Sequence, residues 1–253
     1  MQSLFTAASG LSSQQKRLET LAANVANAST PGYKAARVDF KDALYNSMTD
    51  PVLPDSAQNN LLSGSGVIVN DTAVDYSGGA LLQTGSPLDM AIEGSGFFQV
   101  QNSGGEVFYT RSGSFQISVT DTGNYLVTAE GYFVLNQKGE KIKLPDGATS
   151  FRVSSNGELS TDSGTPFATL GIVDFANPNG LAPAGATSFT ATAATGQGVT
   201  VADAHIVQGS LEGSNVNLAQ EMTLLIRAQR AYSLASRALQ TSDDMLGLAN
   251  NMH

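Results

Sequence analysis

The sequence predicts an α+β protein in which N- and C-terminal α-helices pair as a coiled coil, with a central, mostly antiparallel β domain between them. Three observations predict it. Near the start, Leu4, Leu11, Leu18 and Val25 recur every seven residues, with Ala7, Leu21 and Ala28 offset by three. Near the end, Leu218, Leu225, Tyr232, Leu239 and Leu246 recur in the same way, with Ala228, Ala235 and Ala249 offset by three. The long stretch between them is rich in Gly, Thr, Ser and Asn and has no comparable stripe. A seven-residue apolar repeat is the seam of a helix pair, and neither helix buries its seam alone.

Taken in order, residues 4–28 read as one amphipathic helix, rich in Ala, Leu and Gln and free of Pro. At about 1.5 Å per residue it is nearly 40 Å long. Asn27, Ser29, Thr30 and then Pro31-Gly32 stop it, because Pro lacks a donor and Gly permits positive φ. Residues 33–45 read either as extended chain or as a short helix. Residues 46–66, with Pro51 and Pro54, read as a linking loop, and loops of this length inside a domain are usually functional or disordered.

From residue 67 the texture is β. Short strands are predicted at 67–69, 88–92, 97–101, 107–110, 115–119, 125–127, 132–135, 151–153 and 168–175. Turn dipeptides such as Gly104-Gly105, Asn156-Gly157 and Asn179-Gly180 separate several of them. Phe97, Phe115 and Phe133 lie eighteen apart, each shortly after a Gly. That echo reads as an antiparallel meander with aromatics on its buried face rather than a true repeat. Residues 182–198, almost all Ala, Thr, Gly and Ser, read as a loop. Asn217 then caps the last helix, with Gln220 three residues on in a capping-box-like position. The predicted domains are a terminal helical assembly domain (1–45 and 211–253), the linking loop (46–66) and a β-rich outer domain (67–210).

Composition limits the function. The chain has 253 residues, 41% hydrophobic and only 14% charged, with a formal charge of -9. Globular proteins average about 25% charged residues. The few basic residues form no stripe, which argues against nucleic acid as a partner. There are no cysteines, so disulfides, thiol catalysis and thiolate metal sites are excluded. Met1-Gln2-Ser3-Leu4-Phe5 does not open a basic-then-apolar signal peptide, and no apolar run approaches the roughly 20 residues that span a bilayer. The expectation is export without a cleavable signal and no membrane insertion.

No catalytic, cofactor-binding or metal site is predicted. Asp121-Thr122-Gly123 and Asp162-Ser163-Gly164 look like the triplets of aspartic proteases, whose paired carboxylates share a proton. Their flanks are polar, however, and Asp before Gly is turn chemistry. His205 and His253 are the only histidines and form no zinc pattern. Gly94-Ser95-Gly96 lacks the third glycine of a dinucleotide loop. The heptads have a plain reading of their own, an intramolecular hairpin or core face, and Gln14 and Gln229 interrupt the stripes.

Residues 21–34, LAANVANASTPGYK, bear on that choice. They resemble the N-terminal signature of the bacterial flagellar axial proteins, the rod, hook and hook-associated subunits, with Asn24, Asn27, Thr30, Gly32, Tyr33 and Lys34 at its recurring positions. Residues 85–100, GSPLDMAIEGSGFFQV, and 109–115, YTRSGSF, resemble the family's central block. Residues 208–217, QGSLEGSNVN, with Ser214, Asn215 and Asn217, together with Gln229 to Tyr232, are similar to its C-terminal signature. The likeness spans nearly the whole chain and is weakest at 136–205.

The resemblance implies a structural subunit and not an enzyme, with no cofactor. It implies a helical homopolymer forming a tube that transmits torque to the hook. The partners would be other copies of the chain, neighbouring rod and hook subunits, and the flagellar type III export apparatus. The location would be the extracytoplasmic rod of the basal body. The run 229–246 and the length of 46–66 favour a distal rod subunit; a proximal rod subunit or another rod/hook-type paralogue is the alternative. The terminal helices would form the inner layer through Leu4, Leu11, Leu18, Leu21, Val25, Leu218, Leu225, Tyr232, Leu239 and Leu246. A secreted β-rich adhesin or phage-tail-like tube protein is the competing class, and it would lack the three motifs.

Overall fold

The structure, a computed structural model, describes residues 2–43, 45–47, 62–64, 66–120, 123–145, 151–161, 164–201 and 204–251. The chain is α+β and divides into two compact units. One comprises Met1–Ala26, Ala36–Val74 and Asn217–His253; the other comprises Asn27–Ala35 and Asp75–Val216. The sequence reading draws boundaries at 45, 66 and 210 from helical pattern and texture, whereas the compact units change over after residues 26, 35, 74 and 216.

The first unit holds the two long helices, α1 (Gln2–Ala26) and α2 (Leu218–Asn251). Asn217 caps α2 as its position predicts: its Oδ1 accepts the Gln220 N–H at 3.2 Å, and its carbonyl accepts the Glu221 N–H at 2.9 Å. Residues 33–45, open between helix and extended chain in the sequence, contain the strand Ala36–Asp42. It runs antiparallel to Val67–Val74, from Ala36↔Val74 to Asp42↔Val67, with a bulge between Asp39 and Phe40. Packing decides this: α1 lies against both strands and against α2. Tyr45–Ser47 and Leu62–Gly64 pair at the base of the predicted linking loop. The rest of that loop, 48–61 and 65, lies outside the described residues.

The second unit is built on a ten-stranded antiparallel sheet. Its central strand, Phe97–Gln101, has one flank against Val107–Thr110. The other flank is shared: Phe133–Val134 covers Val100 and Gln101, and Ile172–Asp174 covers Phe97 and Phe98. The expected plain meander is therefore corrected. Distant strands complete the sheet, because a strand buried on both faces needs ladder partners for its full length. Met90, Phe98, Val100, Leu126 and Val134 are fully buried, and Phe98 meets Phe115 edge-on at 5.2 Å. Phe97 and Phe115 are buried and Phe133 half-buried.

Residues 182–198, read as a loop, contain the strands Ala182–Pro183 and Ser188–Thr190. Ser188 and Phe189 pair with Thr110 and Tyr109, so a sheet edge organises a segment whose own composition is loop-like. Late in the chain, His205–Gln208 pairs with Met90–Glu93, and Ser210–Glu212 pairs with Leu81–Gln83. Among the described residues, no helix is long and apolar enough to cross a membrane.

Candidate assembly surface

Polar anchors hold α1 within its unit. Asn24 is 2% exposed. Its Nδ2 donates to the Ala36 carbonyl at 2.8 Å and to Glu221 Oε2 at 3.1 Å, and its Oδ1 accepts the Ala36 N–H at 3.0 Å. One side chain therefore ties α1 to the ribbon and to the first turn of α2. Ser13 Oγ donates to the Val67 carbonyl at 3.2 Å, and the Arg17 guanidinium lies 5.9 Å from the centre of the Phe40 ring.

The seam positions differ in burial. Leu21 is buried, while Leu11, Leu18, Val25, Leu225, Tyr232 and Leu239 are half-buried and Leu218 is exposed. The side chains of Leu4 and Leu246 lie outside the described residues. Among the described residues of α2, Ala228 is the most buried apolar one. A second apolar set escaped the heptad reading: Met222, Ile226, Leu234, Met245 and Leu248 are between 49% and 67% exposed. At about 100° per residue they fall on roughly one face of α2, opposite Ala228. Their spacing is legible in the sequence, but the heptad stripe on the other side of the helix is the more regular of the two. Exposed apolar side chains gathered on one side of a helix, here with the exposed Arg230 and Arg237 among them, mark a candidate interaction surface.

The signature that follows α1 belongs to the second unit. Thr30 N–H bonds the Asn27 carbonyl at 3.0 Å, Thr30 Oγ1 meets Asn27 Oδ1 at 3.2 Å, and Tyr33 N–H bonds the Thr30 carbonyl at 3.3 Å. Gly32 has φ +73°, and a Cβ there would lie 2.4 Å from the Ser112 nitrogen and 2.6 Å from the Arg111 carbonyl carbon. Only glycine permits this turn and this approach. Tyr33 is buried. Asn215 Oδ1 accepts the Ala35 N–H at 2.8 Å while its Nδ2 donates to the Asp75 carbonyl at 2.8 Å. Ser214 Oγ accepts the Val216 N–H at 3.3 Å.

Beside this turn is a buried charge cluster. Glu212 Oε1 accepts from Lys34 Nζ at 2.5 Å and from the Gly79 N–H at 2.9 Å, and Oε2 accepts from Arg111 Nη1 at 3.2 Å. The side chains of Lys34, Glu212 and Arg111 are 0%, 2% and 5% exposed. Arg111 also donates to the Gly94 carbonyl at 2.7 Å and lies over the Phe97 ring. Burial pushes the Lys34 ammonium below the usual lysine range, opposed by its hydrogen bond and attraction to Glu212. Burial likewise lowers Arg111, again opposed by Glu212. Sequence reading singled out Lys34 but neither Arg111 nor Glu212; a charged residue inside a run of small and apolar ones was the available signal.

Three segments match known family descriptions. Residues 4–34 match "Flagella basal body rod protein", residues 91–161 match "Flagellar hook protein FlgE/F/G D1 domain", and residues 207–252 match "Flagellar basal body rod FlgEFG protein C-terminal". Full-length relatives agree. The chain is 37% identical to a flagellar basal-body rod protein FlgG of Borreliella burgdorferi over 100% of this chain and 98% of the relative. It is 37% identical to that of Bacillus subtilis over 97% of each. It is 34% identical to a flagellar basal-body rod protein FlgF of Rhizobium meliloti over 97% of this chain and 95% of the relative. The chain belongs to the flagellar basal-body rod protein family.

In this rod-family chain the charge cluster draws one residue from each matched segment: Lys34, Arg111 and Glu212. The family is a structural one, and its signature residues hold backbone in place. Among the described residues no group of His, Cys, Asp and Glu could hold a metal ion. His205 pairs with Glu93 at 3.1 Å on the surface. The first two residues of each Asp-initiated triplet, Asp121-Thr122 and Asp162-Ser163, lie outside the described residues.

Proposed function

We propose that this protein is a structural subunit of the distal rod of the flagellar basal body, polymerising into a helical tube that transmits torque to the hook. The full-length similarity to rod proteins named FlgG supports the rod role. The observation that carries polymerisation is the second apolar face of α2, Met222, Ile226, Leu234, Met245 and Leu248, left exposed in the single chain. A heterologous contact whose rotation does not close generates an open helical filament. In this reading α1 and α2 pair as a coiled coil and form the inner layer, with the domains divided as the sequence suggests. Assembly covers the half-buried seam and the opposite face of α2. The neighbours are other copies and adjoining rod and hook subunits, and the chain reaches the extracytoplasmic rod through the flagellar type III apparatus without a cleavable signal.

The similarity to a rod protein named FlgF keeps the proximal rod as a second position. Electron microscopy of basal bodies from a strain lacking the gene separates the two. A rod stopped short, with no hook beyond it, supports the distal position. An absent or very short rod supports the proximal one. Intact rods and hooks overturn both.

A further inference from the structure

We propose that Glu212 closes a charge latch that makes docking of the N-terminal segment 27–35 on the β unit conditional on arrival of the C-terminal segment 205–216. The proposal is independent of where in the rod the subunit sits.

The cluster holds two cations and one anion, all nearly inaccessible to water. The remaining partners of the cations are neutral: the Ser77 carbonyl for Lys34, at 2.7 Å, and the Ile92 and Gly94 carbonyls for Arg111, at 3.4 and 2.7 Å. Asp75 and Asp174 act on them only at longer range. Among the described residues Glu212 is the carboxylate that forms ion pairs with both. An uncompensated buried charge is strongly destabilising, more so than the pair is stabilising. Lys34 and Glu212 are 178 positions apart. A growing chain therefore has Lys34 and Arg111 long before it has Glu212, and an unfolded one holds them far from it along the sequence. Until Glu212 arrives, burying Lys34 places two like charges together with only the longer-range attraction of Asp75 and Asp174 to offset them, and the segment 27–35 stays hydrated.

Backbone contacts then lock the same place. Glu212 lies in the strand Ser210–Glu212, and its carbonyl accepts the Gly32 N–H at 2.8 Å. Asn215 holds Ala35 and Asp75. These ties alone would complete the fold by hydrogen bonding. The charge makes completion close to all-or-none, so the two signature-bearing segments dock together or not at all.

Glu212→Gln separates the two effects, because it keeps the strand and removes the charge. The test is hydrogen exchange by mass spectrometry on the full-length protein, comparing wild type, Glu212→Gln and Lys34→Met/Glu212→Gln. Exchange across 27–35 is expected to rise at least about tenfold in Glu212→Gln, while the strand Gly123–Thr128 keeps its wild-type rate. The double variant, with one buried cation fewer, is expected to return to within about threefold of wild type. Wild-type exchange in Glu212→Gln, or a double variant as open as the single, overturns the latch. If Glu212→Gln yields no folded protein, folding of the double variant supports the latch and its failure overturns it.

Discussion

Asn24 satisfies both backbone groups of Ala36 with its one side-chain amide: Nδ2 reaches the carbonyl at 2.8 Å, and Oδ1 receives the N–H at 3.0 Å. A helical side chain thus stands in for a neighbouring strand at the first residue of the ribbon. Only an amide offers donor and acceptor together at this spacing. Asn24→Ala is expected to cost about 1–3 kcal/mol by leaving both groups without that partner. Asn24→Asp should cost at least as much near neutral pH, because it loses the donor and sets a carboxylate against Glu221. Denaturant midpoints of the two variants check this; an aspartate as stable as wild type sinks it.

Two glycines should respond in opposite ways. Gly32→Ala meets the backbone of residues 111 and 112 at a positive φ. It should be among the most destabilising single changes, several kcal/mol or roughly a third of a typical domain's stability. Gly10 lies in α1 with open space where a Cβ would go. Gly10→Ala should stabilise the helix by about 0.5–1 kcal/mol. Thermal unfolding of the two proteins reads both signs.

Tyr76 predicts an alkaline transition. Burial raises its phenol to about 12. The folded value lies above the unfolded one of 10.0, so the folded state holds the proton longer. Its contribution to stability is complete below pH 10 and is lost as pH rises through about 12. In a tyrosinate absorbance titration, Tyr76 should ionise late along with Tyr109, whose phenol burial also raises, and Tyr76→Phe should remove its share of that late component. The hydroxyl oxygen is buried with no hydrogen-bond partner among the described residues. Tyr76→Phe is therefore expected to leave stability unchanged or raise it by up to about 1 kcal/mol.

Polar substitution on the outer face of α2 should separate folding from assembly. Ile226→Asp and Leu234→Asp, at exposed positions, should change monomer stability by no more than about 0.5 kcal/mol yet abolish rod incorporation. Leu18→Asp and Leu225→Asp, in the half-buried seam, should leave the β unit folded and also block incorporation. Complementation of motility with fractionation of basal bodies measures this. Normal incorporation of all four variants removes the helices from the assembly mechanism.

The seven-residue spacing, the Pro31-Gly32 stop and the Asn217 cap placed both helices to within about two residues of the observed ends. The strands Phe97–Gln101 and Val107–Thr110 coincide with the ranges read from their apolar runs. These are local signals, carried by residues a few positions apart. The strand Ser188–Thr190 was not legible, because Ser, Phe and Thr become a strand there only beside Tyr109 and Thr110. The outer face of α2 was written in the spacing of Met222, Ile226 and Leu234, but which of two apolar stripes meets the neighbouring elements is settled by packing.

The sequence by itself determined the class of the fold, the extent and capping of both helices, and the rod-family signatures, because helical periodicity, turn chemistry and motif spacing act over short stretches of chain. Only the tertiary structure decided that Asn24 completes Ala36, that residues 36–42 pair with 67–74, and that Lys34, Arg111 and Glu212 share one buried cluster. Those contacts join positions far apart in the chain, and the physical cause lies in burial: a backbone group or charge removed from water must find its partner wherever the fold brings one within reach.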